Sequence, residues 1–216
     1  MKINLPGGNV KELPEGANAY DLAKSISPKL AQAALAAKVN GTAADLYRAL
    51  SDNDSVEILT FDSPEGVSIF RHSSSHILAQ AVQELYPDAK IAIGPAIENG
   101  FYYDFDVEKP FTPEDIQAIE ARVKKIISEK IPFVRSEPST EEIQQYFAGK
   151  GEIYKLELLN AIEGRPSVYT QGSWKDLCRG PHVPDTGYIK AFKVLSVAGA
   201  YWRGDEKNKM LQRIYG

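Results

Sequence analysis

The sequence predicts an α+β fold in two modules, a small one over residues 1–62 and a larger one over 63–216 with a largely antiparallel sheet and packed helices. Three observations carry this expectation. Short apolar strands and helix-capping patterns follow one another without the regular alternation that a parallel βαβ sheet needs. A turn-rich stretch, Asp62-Ser63-Pro64-Glu65-Gly66, divides the chain into two sets of such elements. A length of 216 residues is enough for each set to bury a core of its own.

In the first set, Ile3–Leu5 and Val10–Leu13 read as the strands of a hairpin closed by Pro6-Gly7-Gly8. Asn18 precedes a short helical stretch from Ala19 to Ser25, which Pro28 interrupts ahead of an alanine-rich segment running to Ala36-Ala37-Lys38-Val39. Asn40-Gly41 is a tight-turn signal, and Val56–Phe61 alternates loosely as a closing strand. Strands gathered around a helix in so short a span predict a small β-grasp, or ubiquitin-like, module.

The larger module is expected to open with a strand near Val67–Phe70, followed by a helix from His72 to about Leu85 with Ile77, Leu78, Ala81, Val82 and Leu85 on its apolar stripe. A second helix starts at Thr112-Pro113-Glu114-Asp115, where a capping residue, a first-turn proline and two acids suit the positive end of a helix dipole. Ser139-Thr140-Glu141-Glu142 has capping-box spacing for a third helix, and Glu152–Leu159 reads as a fourth. Strands are expected at Phe101–Phe105, Ser167–Thr170 and Tyr188–Val197.

Composition narrows the function classes. Hydrophobic residues at 43% and charged residues at 25% are ordinary values for a globular domain and exclude disordered and collagen-like chains. No apolar run reaches the ~18 residues of a membrane span, and the start MKINLPGGNVKE lacks the apolar stretch of a signal peptide. A single cysteine makes no internal disulfide, so a cytoplasmic protein without membrane partners is expected. The net charge of −4 argues against an autonomous binder of long nucleic acid. Residues 175–216 depart from that balance, with eight Lys or Arg against four Asp or Glu, so any RNA contact is expected there.

The chain's three histidines and one cysteine fall into two pairs of equal spacing, His72-x-x-x-His76 and Cys178-x-x-x-His182. On a helix, positions i and i+4 stack on one face roughly 5–6 Å apart, so two imidazoles can converge on one atom. The second pair spans Arg179-Gly180-Pro181, a sequence suited to a tight turn with close backbone approach. Three imidazoles and a thiol suit tetrahedral zinc, and they suit equally a pocket that orients water. A lone histidine is more often an ordinary core or helix residue than a ligand. The pairing of all four is what points to a site.

At these residues the chain resembles a known family. RHSSSHILAQAV (71–82), IGPAIENGFYYDF (93–105), DLCRGPHVP (176–184) and AGAYWRGDEKNKMLQRIYG (198–216) are similar to threonyl-tRNA synthetases, and residues 1–61 resemble the β-grasp TGS domain that precedes the editing domain there. The resemblance implies a TGS-like domain over 1–62 and an aminoacyl-tRNA editing (deacylase) domain over 63–216. Its implied activity is proofreading by hydrolysis of mischarged seryl-tRNA(Thr). The implied partners are the 3′ end of that tRNA and the aminoacylation and anticodon-binding domains of a full-length synthetase, with this piece a monomer and the whole enzyme a homodimer. Alanyl-type deacylases share the paired pattern and use it to hold zinc, so a zinc-dependent alanyl deacylase and a non-catalytic, zinc-stapled RNA-binding module stand as alternatives. The TGS-like start and the Cys178–His182 and Gln212–Gly216 stretches favour the threonyl branch.

Ester hydrolysis needs a positioned water, oxyanion stabilisation and a proton route to the leaving ribose hydroxyl. Candidate catalytic residues are His72, His76, Lys155, Asp176 and His182. His72 and His76 would hold water and the ribose end, Lys155 would meet the terminal adenosine or donate a proton, and Asp176 would pair with the serine ammonium or orient a histidine. Tyr103, Gly94, Pro95 and Cys178 are candidate substrate contacts, with Gly94-Pro95 as a rim against which threonine's methyl clashes. No cofactor is required on this reading. If zinc is held, its ligands are His72, His76, Cys178 and His182.

Overall fold

The computed structural model describes residues 1–216 and shows a mixed α+β chain in which every pairing between named strands is antiparallel. β1 (Lys2–Asn4) and β2 (Val10–Glu12) form the opening hairpin, turned at Pro6–Gly8. Helix α1 (Ala19–Ile26) starts where Asn18 and Asp21 cap one another reciprocally. Helix α2 (Pro28–Ala33) follows with Ser27 as its cap and a proline at its first turn. β3 (Ala36–Val39) then pairs on one side with β4 (Thr42–Ala44) across the Asn40-Gly41 turn, and on the other with β5 (Val56–Leu59). A parallel bridge from Asn4 to Ser55 joins the hairpin to the start of β5. The core beneath these strands is mainly alanine, leucine and valine, including Ile3, Leu22, Leu46 and Val56.

The larger module is built around α3, a helix from Pro64 to Leu85. It differs from the sequence expectation, because Val67–Phe70 is helical and His72 lies inside the helix rather than at its start. Ser63 accepts from the Gly66 amide, Pro64 occupies the first turn and Glu65 sits near the positive end, so the cap lies one segment upstream and outweighs the strand-like run Val-Ser-Ile-Phe. Every residue from Ser73 to Val82 is buried, the pattern of a helix enclosed on all faces.

One sheet packs against α3 in the order β12-β13-β8-β6, comprising β6 (Lys90–Ile91), β8 (Gly100–Asp106), β12 (Ser196–Tyr201) and β13 (Met210–Tyr215), with β7 (Ala96–Ile97) paired to β8. A second sheet holds β9 (Phe133–Ser136), β10 (Val168–Gln171) and β11 (Trp174–Leu177) in the order β11-β10-β9. Helices α4 (Pro113–Glu129) and α5 (Thr140–Gly149) begin at the capping boxes of Thr112 and Ser139, and α6 (Ile153–Asn160) follows. The expected strand at Tyr188–Val197 is found only at its end, where β12 begins at Ser196. Thr186–Tyr188 forms a single helical turn instead, capped by the Asp185 carboxylate, which accepts from the Gly187 amide. Leu35, Ala36 and Leu59 of the small module join the larger core beside Ile69 and Ile77, so the two modules share apolar packing.

Candidate active site

Buried polar side chains concentrate where α3, β8, α6 and β11 meet. α3 carries His72 and His76 one turn apart, with ring centroids separated by 4.8 Å. The three serines between them bond back onto the helix: Ser73 to the Ile69 carbonyl, Ser74 to Phe70, and Ser75 to His72 and to Gly94 across the pocket. Satisfied in this way, hydroxyls are tolerated in an enclosed helix.

Directly after β11 the chain turns through Cys178-Arg179-Gly180-Pro181-His182 and brings the second pair onto the first. Cys178 Sγ lies 3.1 Å from His72 Nε2 and 3.3 Å from His182 Nε2, and it accepts from the Gly180 amide at 3.2 Å. The His182 ring stacks between His72 and Phe133, at 4.6 Å from each. Its Nδ1 is 3.0 Å from Ser73 Oγ, which also accepts from the Val183 amide. Because the Ser73 proton is directed to Ile69, His182 Nδ1 is the donor of that pair, and its Nε2 is left to accept the Cys178 thiol proton. Burial pushes the thiol up to about 12 and holds His72, His76 and His182 below the usual imidazole range. The cluster is therefore neutral at pH 7: three imidazoles and a protonated thiol.

A charged cluster sits beside it. Lys155 on α6 is 2% exposed and reaches Asp176 Oδ1 at 2.7 Å and the Tyr103 hydroxyl oxygen at 3.0 Å. Tyr103 donates to Asp176 Oδ2 at 2.7 Å, and burial together with the Asp176 charge pushes its phenol well above the usual range, so it remains a donor. Asp176 also accepts from the Leu177 amide, and His76 Nε2 stands 3.9 Å from its Oδ2. With these partners the carboxylate is fully engaged in orienting Lys155 and Tyr103. An ammonium has three N–H groups, and two of those on Lys155 are taken by protein acceptors.

Eight of the nine residues singled out from the sequence line one cavity of about 540 Å³: His72, His76, Gly94, Pro95, Tyr103, Lys155, Asp176 and Cys178. His182 is the exception. It is 1% exposed, stands behind Cys178, and faces a separate cleft between the modules. Gly94 is fixed by close approach, since a Cβ there would meet the Tyr103 ring at 2.0 Å. Sequence reasoning missed Ser73 and Ser75, which hold His182 and Gly94. The run of three serines between the paired histidines, inside an apolar stripe, was the available signal.

His72, His76, Cys178 and His182 also form a group able to bind a metal, with one donor atom from each all lying within 4.8 Å of one another. His76 Nδ1 is buried without a hydrogen-bond partner. The donor types and their mutual approach fit zinc.

A sheet-and-helix module joined to a β-grasp module, with paired imidazoles and a thiol at its centre, matches two known families. The TGS domain matches residues 1–60, and the threonyl and alanyl tRNA synthetase second additional domain matches residues 167–215. The chain thus consists of a TGS domain, of the ubiquitin-like β-grasp type, followed by the editing-type domain of these synthetases. Over its whole length it is 53% identical to the threonine--tRNA ligase of Carboxydothermus hydrogenoformans and 54% identical to that of Desulforamulus reducens, covering 34% of each. It is likewise 53% identical to threonine--tRNA ligase 1 of Bacillus subtilis, again covering 34% of that protein. Over its whole length the chain is similar to the threonyl-tRNA synthetases, and it spans about a third of the length of the relatives it matches. No helix is long and apolar enough to cross a membrane.

Proposed function

We propose that residues 63–216 are a deacylase that hydrolyses the ester of seryl-tRNA(Thr), and that residues 1–62 are the TGS module packed against it. The observation that carries this reading is the Lys155 ammonium, held by Asp176 and Tyr103 at the wall of the cavity that His72 and Cys178 also line, with one N–H free of any protein acceptor. A fixed cation with a free donor suits a ribose hydroxyl that must leave with a proton and partial negative charge.

His72 is the imidazole nearest the cavity; its Nδ1 donates to the Gly94 carbonyl at 3.3 Å, which leaves Nε2, beside Cys178 Sγ, as the ring nitrogen able to accept from an attacking water. His76 backs Asp176. Cys178 serves as wall rather than nucleophile, because burial keeps the thiol protonated and only a thiolate attacks an ester efficiently. The Gly94-Pro95 rim, closed against Tyr103, is where threonine's extra methyl would clash. A synthetic site gains only about 1–3 kcal/mol from one methyl, so a second sieve that admits serine is needed. The partners on this reading are the 3′ end of seryl-tRNA(Thr) and the remaining domains of a full-length synthetase.

The test offers seryl- and alanyl-tRNA to the purified chain and follows amino acid release. Faster release of serine supports the reading, whereas alanine released with serine spared transfers the site to the alanyl class.

The four-donor group supports a second reading, in which zinc is held by His72, His76, Cys178 and His182. With all four as ligands the metal would be a closed structural staple, and with one displaced it would act as a Lewis acid toward water. Stoichiometric zinc after purification without chelator, with unfolding on its removal, would favour the staple.

A further inference from the structure

Asp45 belongs to the small module, on the turn after β4, yet both of its carboxylate oxygens are bonded to the larger one. Oδ1 accepts from the His182 amide at 2.9 Å and Oδ2 from the Tyr169 hydroxyl at 2.8 Å. Tyr169, on β10, is 1% exposed and meets the His182 ring edge-on at 4.5 Å. The Cys178–His182 turn is seated on this phenol: a Cβ at Gly180 would come within 2.0 Å of the Tyr169 oxygen, and Gly180 has a φ of +68°. One carboxylate therefore grips both the end of the turn and the ring beneath it.

The rest of the contact between modules at this point is open. A cleft of about 840 Å³ runs beside Asp45, with Thr42–Arg48 on one side and Pro132–Arg135 on the other. The His182 ring is held entirely from within the larger module, by Ser73, Cys178 and Phe133, while its backbone amide is held from the small one. The one ion pair between the modules, Lys38 with Glu65, lies at the surface and is screened by solvent.

We propose that Asp45 is a positioning residue of the editing pocket, through which the TGS module fixes the turn carrying Cys178 and His182. This rests on the deacylase reading for its effect on rate, but not for its effect on the turn. It gives the first module a part in the site it does not line.

The test compares Asp45→Leu with Asp45→Asn in the whole chain. Asparagine can still accept from the His182 amide and can donate to the Tyr169 oxygen, so it retains both contacts. Losing two hydrogen bonds to a charged group is expected to lower kcat for seryl-tRNA about tenfold in the leucine variant, with KM changed less than about twofold. The asparagine variant is expected to recover most of that rate. Alkylation of Cys178, the sole thiol, reads the turn without any reference to activity. It should accelerate several-fold in the leucine variant and not in the asparagine variant.

Should the leucine variant fail to fold, Tyr169→Phe removes the phenol oxygen, and with it the bond to Asp45 and the seat beneath Gly180, and a smaller rise in alkylation is expected. Unchanged alkylation in a folded Asp45→Leu or Tyr169→Phe protein overturns the proposal. A wild-type chain that spares seryl-tRNA overturns the deacylase reading instead, and the alkylation comparison still decides the role of Asp45.

Discussion

The two modules solve the same packing problem with opposite materials. Every side chain in the core of the TGS module is apolar, from Ile3 through Leu22 to Val56. All fourteen buried polar or charged residues lie in the other module, among them His76, Asp104, Lys155, Asp176 and His182. Burying an ionised group costs several kcal/mol even when it is paired, so a core with Lys155 and Asp176 in it is not the most stable one available. Stability has been given up in the module that holds the candidate site and kept in the one that does not.

Lys155→Met bears on that contrast most strongly. If the ammonium serves the leaving ribose, the substitution lowers single-turnover hydrolysis of seryl-tRNA by about 10²–10⁴-fold, and a rate within twofold of wild type would remove Lys155 from the mechanism. Arg213→Met separates buried charge from function. Arg213 grips the buried Asp104 with two bonds of 2.7 and 2.8 Å and stacks on Tyr102, and none of these three residues lines the cavity. Removing it should cost about 3–5 kcal/mol in denaturant unfolding while leaving the hydrolysis rate of the folded protein intact.

In the TGS module, Leu22→Ala should cost about 3 kcal/mol as a cavity in an apolar core, again with no direct effect on rate. The smallest expected effect is Asn18→Ala, about 1 kcal/mol from loss of the capping box of α1. Its urea midpoint should fall slightly and its slope stay fixed.

Local chemistry was legible in the sequence and long-range geometry was not. Asn18, Thr112 and Ser139 announced their helices because a cap is decided within four residues. Ser63-Pro64-Glu65 carried the same signal for α3, but the apolar run Val67–Phe70 imitated a strand and obscured it. β9 and β13 went unread because they mix charged and apolar residues, and β9 with β10 and β13 with β8 pair across long stretches of chain.

The pocket shows the same division. Spacing alone paired His72 with His76 and Cys178 with His182, and the structure places all four together. The meeting of Tyr103, Lys155 and Asp176 joins β8, α6 and β11, and no spacing rule reaches across them; those residues came from the family resemblance. Asp176 was expected to meet a serine ammonium or to orient a histidine; its oxygens bond Lys155, Tyr103 and the Leu177 amide, and His76 Nε2 stands 3.9 Å from Oδ2. Asp45 gave no sign in the sequence, since its partners lie 124 and 137 residues away.

Whether the polar core of the larger module is a hydrolytic site or a staple turns on a single rate. It is the single-turnover release of serine from seryl-tRNA(Thr) by chain stripped of metal with a chelator and verified as folded. A hydrolytic site built from Lys155, Asp176 and His72 gives release far above the spontaneous rate, unchanged when zinc is added back. Release no faster than the uncatalysed ester, or activity that returns only with zinc, would contradict it.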